Sequence, residues 1–229
     1  MPDLHNLSMD PVCHLTTSSD EVVQAFYLDN TNPNNYKIHA IQKHKAHPIL
    51  SPIAEKQTVI RTGTFNPNEI DSTFHMPNCV LQDNIILTNH KPLISTNTDE
   101  STWPESQRMN AHLVAHTQTL APVGNDQFLI GIYGDNSEFE WAQALGLFDL
   151  SGRKAYNYYN DISKIPYITG FNSYRLEAAT DVTKKWLIIQ TIDKDNTATF
   201  YKYELKPILD KLCNPLSSNR VDINDFKPD

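Results

Sequence analysis

Three observations predict an all-β protein. The apolar residues fall in short runs rich in β-branched and aromatic side chains, the types that suit a pleated, half-buried surface. Those runs end in Asn, Asp, Pro or Gly, the residues that punctuate a chain at turns. Asp-Asn pairs recur at Asp29-Asn30, Asp83-Asn84, Asp135-Asn136 and Asp195-Asn196, spaced by 54, 52 and 60 residues, each after an apolar run. A repeat of about 50 residues matches one four-stranded propeller blade. The expected architecture is therefore a small β-propeller-like arrangement of four or five sheets, with a β-sandwich as the alternative and one or two short helices beside the strands.

In chain order, strands are expected over residues 21–28, 36–42 and 58–64, then over the shorter runs 79–82 and 85–88. Residues 113–120, 127–133, 145–150 and 154–159 lay out as one blade, and 173–179 begin the next. Phe128 to Tyr133 and Trp186 to Ile189 are apolar at consecutive positions, the pattern of central strands covered on both faces. Strands at 185–192 and 199–205 bracket Asp193-Lys194-Asp195-Asn196-Thr197, a polar stretch suited to a hairpin loop. From Phe200 to Leu205 the alternation marks one wet face.

Two stretches carry helix chemistry. Thr102-Trp103-Pro104-Glu105 offers a capping hydroxyl, an early proline and a glutamate three residues on, so a helix from Trp103 to His112 or His116 competes with the strand at 113–120. Residues 206–212 read as a second short helix. One β-rich domain is expected over 1–216, followed by a polar, loosely ordered C-terminal tail over 217–229.

Charge narrows the function. With 27 acidic and 19 basic residues the formal charge is −8, and no cationic run displaces counterions as nucleic-acid or anionic-membrane binding requires. Neither partner class is expected; a basic protein is. Three cysteines, Cys13, Cys79 and Cys213, leave at least one thiol unpaired. That points to a reducing, cytoplasmic compartment, with secretion or delivery into a host left open. Met1 to His5 lacks a basic and then apolar leader, and no window approaches a spanning helix.

The candidate sites follow from residue type and spacing. Asp135, Glu138 and Glu140 lie beside Phe139 and Trp141 in one connecting stretch, and aromatics among carboxylates favour contact with a protein or a carbohydrate. His112 and His116 sit one helical turn apart and could share a metal on a helix, with His90 and Glu105 as nominal further ligands. Leu113 stands where a zinc protease needs its glutamate, and on a strand the two rings would lie about 13 Å apart; both favour ordinary surface histidines. His39, His44 and His47 around Lys43 and Lys45 form a candidate acid-sensitive patch. Asp193, Asp195, Thr197 and Glu204 have calcium-loop spacing, but Ala198 replaces the obligatory glycine. No metal or other cofactor is expected. There is no G-x-S-x-G and no phosphate-cradling glycine motif.

Met9-Asp10-Pro11-Val12, followed by Val22 to Asp29 with Phe26-Tyr27 and then by Asn32-Pro33-Asn34, resembles the opening of five-bladed propeller glycosidases. The resemblance implies a catalytic carboxylate at Asp10 alone; no later acid residue matches, although glycoside hydrolysis uses two carboxylates. Two function classes are thus expected. The first is a non-enzymatic protein-binding module of inhibitor, immunity or effector type, engaging a basic partner through its acidic and aromatic loops. The alternative is a carbohydrate-active propeller, either a glycoside hydrolase using Asp10 or a lectin stacking sugars on Trp103 and Trp141.

Overall fold

A computed structural model of the chain describes residues 14–16, 21–44, 58–69, 78–80, 82–88, 114, 117–124, 126–132, 141–151, 165–214 and 219–229. These residues are mostly strand, and the all-β expectation holds. A four-stranded antiparallel sheet joins β2 (Glu21–Asp29), β3 (Tyr36–His44), β4 (Thr58–Phe65) and β6 (Gln82–Thr88) in that order. A five-stranded sheet has the order β14 (Arg220–Asp222), β10 (Tyr167–Thr169), β9 (Ala144–Asp149), β8 (Gln127–Ile132), β7 (Leu120–Gly124), antiparallel except for the β10–β14 pair. A three-stranded antiparallel sheet contains β11 (Arg175–Thr180), β12 (Trp186–Ile192) and β13 (Ala198–Glu204). A short parallel pair joins β1 (His14–Thr16) to β5 (Asn78–Val80).

The sheets stack because the five-stranded one is apolar on both faces. Side chains alternate along a strand, so Phe128, Ile130 and Ile132 of β8 meet Ile41 and Ile60 of the four-stranded sheet. Leu129 faces the other way, packing with Leu187, Ile189 and Tyr203 of the three-stranded sheet. β9 repeats the division, with Ala144 and Phe148 in the first core and Leu145 and Leu147 in the second. The far face of the four-stranded sheet carries a smaller cluster of Ile38, Ala40 and Phe65. Among the described residues the sheets succeed one another in layers and form no closed ring.

Turn chemistry fixes the hairpins. Asp29 Oδ1 accepts the Thr31 N–H at 3.0 Å and Asn32 Oδ1 accepts that of Asn34 at 3.1 Å, closing the β2–β3 turn with side chains that mimic backbone. In the expected β12–β13 hairpin, Asp193 Oδ1 accepts the N–H groups of Asp195 and Thr197 at 2.9 and 2.8 Å. Its carboxylate is thus used in loop closure, as expected over a calcium loop. Asp181 organises the β11–β12 turn by accepting from the Lys185 and Trp186 N–H groups at 2.8 and 2.7 Å.

The second expected helix is present as α1 (Leu205–Leu212), which buries Leu205, Ile208 and Leu212 in the second core. Pro207 is accommodated because N–H groups in a helix's first turn have no intrahelical partner to lose. The other expected helix, from Trp103, lies outside the described residues, as does the strand at 154–159.

Several expectations are corrected. The strand placed at 113–120 runs instead from Leu120 to Gly124, with Val114 making an isolated bridge to Ile132. Pro122 within this strand is tolerated because β7 is an edge strand of its sheet. Asp83-Asn84 lies inside β6, so it does not mark a turn and the fourfold Asp-Asn repeat fails there. β12 is central in its sheet but buries one face only, through Leu187 and Ile189. The segment after residue 217, expected to be loose, is pinned from Asn219 onward: Val221 and Ile223 are buried in the second core, and Asp222 caps a single 3-10 turn (Ile223–Asp225) by accepting the Asn224 N–H. Asn224 Nδ2 in turn donates to the Gly170 carbonyl at 3.0 Å. Gly170 has φ +88, and a Cβ there would overlap the Asp222 carboxylate, so glycine is required on both counts.

Gly131 tests the packing of the central sheet. A Cβ at this position would overlap the side chains of Thr117 and Ala142. Gly131→Ala should therefore lower stability by about 1–3 kcal/mol, read as a lower urea midpoint with an unchanged slope.

Candidate functional site

Of the residues singled out from sequence, Asp10, His112, His116, Asp135, Glu138, Phe139 and Glu140 lie outside the described residues. Trp141 does not. It is half-buried, with the Arg175 guanidinium carbon 4.2 Å from its ring centroid, a cation–π distance. Arg175 Nε donates to Glu177 Oε1 at 3.0 Å and its Nη2 to Gln118 Oε1 at 2.8 Å. Glu177 Oε2 then accepts from the Gln118 N–H and the Thr119 hydroxyl, both at 2.9 Å. Thr119 Oγ1 also accepts the Ala178 N–H at 2.8 Å. This network ties the approach to β7 against β11, and Trp141, which follows Glu140 in the sequence, packs on it.

Arg175 pairs directly with Ile192, and Glu177 with Gln190. The network therefore opens onto the face of the three-stranded sheet opposite Leu187 and Ile189. Along the same face run Trp186, Ile188, Gln190 and Ile192 of β12, matched across the strand pair by Glu204, Lys202, Phe200 and Ala198 of β13. Phe200 is 66% exposed and Val182 at the adjoining turn 99%, whereas Tyr201 pairs with Ile189 on the opposite face. Trp186 lies between two ammonium groups, with Lys202 Nζ 4.1 Å and Lys185 Nζ 4.9 Å from its ring. Lys202 also meets Asp229 Oδ2 at 3.3 Å. An aromatic and aliphatic stripe rimmed by charge has the composition of an interaction surface. Phe200 and Trp186 were legible only as strand residues; the signal for the surface was the pairing of two hairpin strands that both keep large residues on the wet side.

A second polar cluster lies between the four- and five-stranded sheets. His39, expected in a surface patch with His44 and His47, is instead 3% exposed, because strand alternation places it on the same face as Ile41. That part of the patch is corrected; His44 ends β3, and His47 lies outside the described residues. The His39 ring packs on Phe128 with centroids 5.0 Å apart and stacks beside Tyr27 at 6.4 Å. Its Nδ1 meets Thr62 Oγ1 at 3.1 Å, and its Nε2 lies 3.7 Å from Asp126 Oδ1. Lys37 Nζ donates to that same carboxylate oxygen at 2.7 Å.

Thr62, His39 and Asp126 follow one another as hydroxyl, imidazole and carboxylate, the order of a nucleophilic relay. The polarity is wrong for catalysis. A relay keeps its acid inside and its hydroxyl open to substrate, whereas here the carboxylate is at the surface, engaged by Lys37, and the hydroxyl is a cross-strand neighbour within the sheet. Burial, with Lys37 as the next cause, holds the His39 pKa down at about 4, so the ring is neutral near pH 7. The Asp29 carboxyl is held below its ordinary value mainly by the Thr31 N–H bond, and burial pushes the Tyr27 phenol up.

No group of three metal-ligating side chains converges among the described residues. Cys213, exposed at the end of α1, has its thiol pushed up by partial burial and then by Asp210, which opposes the thiolate form a nucleophile needs. No helix among the described residues is long and apolar enough to cross a membrane.

Glu177 is the most heavily used carboxylate of the first network. Glu177→Gln keeps the shape but cannot accept at both ends, and should cost about 1–3 kcal/mol of stability, measured by urea denaturation.

The family model of the bacteriocin helveticin-J matches residues 53–229, most of the chain. No curated protein and no solved structure matches. The chain belongs to the helveticin-J family. The matched segment begins between β3 and β4, so it contains the three-stranded sheet whole and the four-stranded sheet only in part.

Proposed function

From membership of a bacteriocin family, we propose that this chain is a bacteriocin-type effector that acts outside the producing cell by binding a partner, without chemistry of its own. The carrying observation is the outer face of the three-stranded sheet, where Phe200, Ile188, Ile192 and Trp186 form an apolar stripe between Lys202 and the Arg175–Glu177 network. Burying such a stripe is favourable at roughly 25 cal/mol per Å², and large aromatics near the centre of a contact carry most of its energy.

Asp135, Glu138, Phe139 and Glu140 shortly precede Trp141 in the sequence, and Trp141 lies against Arg175 beside this face. In this reading the two act together: the apolar stripe supplies affinity, and the carboxylates select a partner with a basic rim and speed encounter with it. The stacked sheets serve as the scaffold that holds the face in place. The formal charge of −8 supports a basic protein partner over nucleic acid or an anionic lipid surface.

Two substitutions separate affinity from steering. Phe200→Asp should reduce binding to sensitive bacterial cells by about tenfold or more, as expected for a central aromatic anchor. Reversal of charge at Glu138 and Glu140 should slow association and flatten its salt dependence, with little effect on dissociation. Fluorescently labelled protein in a cell-binding and growth-inhibition assay reads both. Undiminished binding by the Phe200 variant would remove this face from the account. Killing accompanied by sugar release that Asp10→Asn abolishes would replace the binding role with the carbohydrate-active one.

A further inference from the structure

The histidine between the four- and five-stranded sheets is not used by the proposed binding face, and its surroundings are suited to one charge state only. The ring is 3% exposed and is flanked by aromatic rings from both sheets, Tyr27 from β2 and Phe128 from β8. Tyr27 and Phe128 themselves meet edge to face at 5.8 Å, so the three rings touch one another in one cluster across the seam.

The charged and titratable groups around the ring come from every element that packs on it. β3 supplies Lys37, the turn before β8 supplies Asp126, and β2 supplies Tyr27 and, at its end, Asp29. Lys184, from the β11–β12 turn, lies behind Asp29 and reaches the Gly124 carbonyl at 3.4 Å. β4 contributes the neutral Thr62 hydroxyl. A neutral imidazole is satisfied in this setting by the hydroxyl at Nδ1. An imidazolium is not: it loses hydration, gains Lys37 as a like charge, and finds the Asp126 oxygen nearest to it already bonded to Lys37 at 2.7 Å. The 3.7 Å separation of Nε2 from that oxygen exceeds hydrogen-bond length.

We propose that this seam is an acid-operated latch, in which protonation of His39 loosens the four-stranded sheet from the five-stranded sheet and uncovers the apolar face carried by Phe128, Ile130 and Phe148. The other seam differs in kind. Its core is built from Leu129, Leu145, Leu147, Leu187 and Ile189 with no histidine among its described members, so acid acts on one joint and leaves the binding face assembled. β3, which carries His39, lies before the segment matched by the family, whereas Thr62, Asp126 and Phe128 lie within it.

The direction with pH follows from linkage. The imidazole has an ordinary value of 6.5 and is held at about 4 in the folded chain, so the unfolded chain binds more protons between those values. The contribution of the neutral ring is complete above about 6.5 and is lost progressively as pH falls towards about 4.

Titration of the full chain from pH 7 to pH 3.5 with 8-anilinonaphthalene-1-sulfonate, alongside far-ultraviolet circular dichroism, tests the latch. The dye signal should rise several-fold between about 6.5 and about 4 while strand content persists, as an uncovered apolar face requires. His39→Phe, which keeps a ring but cannot be charged, should remove that rise. Lys37→Met should move the opening midpoint down by about one pH unit, because the closed seam then tolerates the imidazolium without a like charge beside it, and Asp126→Asn should move it up, because the closed seam then loses the carboxylate that favours the imidazolium. The last two decide the matter even if the phenylalanine variant fails to fold. An absent rise in the natural chain, an unchanged titration in His39→Phe, or midpoint shifts of equal sign in the two charge variants would overturn the latch.

Discussion

The rest of the structure depends on the two-sided burial of the five-stranded sheet. β8 and β9 place alternate residues in two different cores, so every other layer is located by which of their faces it covers. A strand with one wet face can bury only half of its side chains; these two bury nearly all of theirs. The cost is low tolerance. Gly131 has no room for a methyl group, because Thr117 and Ala142 already fill the space above it, and close-packed interiors transmit such strain to their neighbours.

The two seams then diverge in chemistry. The one towards the three-stranded sheet is largely aliphatic, with Tyr203 among its members, and is reinforced by α1, β14 and the 3-10 turn after it, which add Ile208, Leu212, Val221 and Ile223 to the same core. The one towards the four-stranded sheet contains a titratable ring, whose neutral form is fixed by burial and a nearby ammonium. Polar groups in a joint add directionality at the expense of robustness. This division lets one face of the molecule remain a stable platform while the opposite joint responds to conditions.

Much of this order is written in local pattern. The runs at Tyr36, Thr58, Gln127 and Trp186 are recognisable as strands because β-branched and aromatic residues cluster there between turn residues, and the β12–β13 hairpin is legible from Asp193 to Thr197 alone. β7 is less so, because Pro122 opposes a strand until its place at a sheet edge is known. β14 is hidden for another reason: Val221, Ile223 and Phe226 are isolated apolar residues in a polar stretch, and their packing depends on α1 and β10 arriving from elsewhere. His39 had a usable signal, since it shares its period-2 face with Ile41. Its neighbours Phe128 and Asp126 are far away in sequence, and no spacing rule brings them together. The same limit applies to Arg175 and Glu177, an i, i+2 pair whose partners Gln118, Thr119 and Trp141 become visible only when β7 and β11 meet.

The claim that the β8–β9 pair is the common foundation is open to one direct measurement, native-state amide hydrogen exchange across the chain. Amides of Phe128 to Ile132 and Leu145 to Phe148 that take part in the sheet ladder should exchange last, at the rate of global unfolding, while those of β13 exchange through local opening at lower cost. Exchange in β8 and β9 as fast as in β13 would contradict the account, because a strand shared by two cores cannot open without separating both.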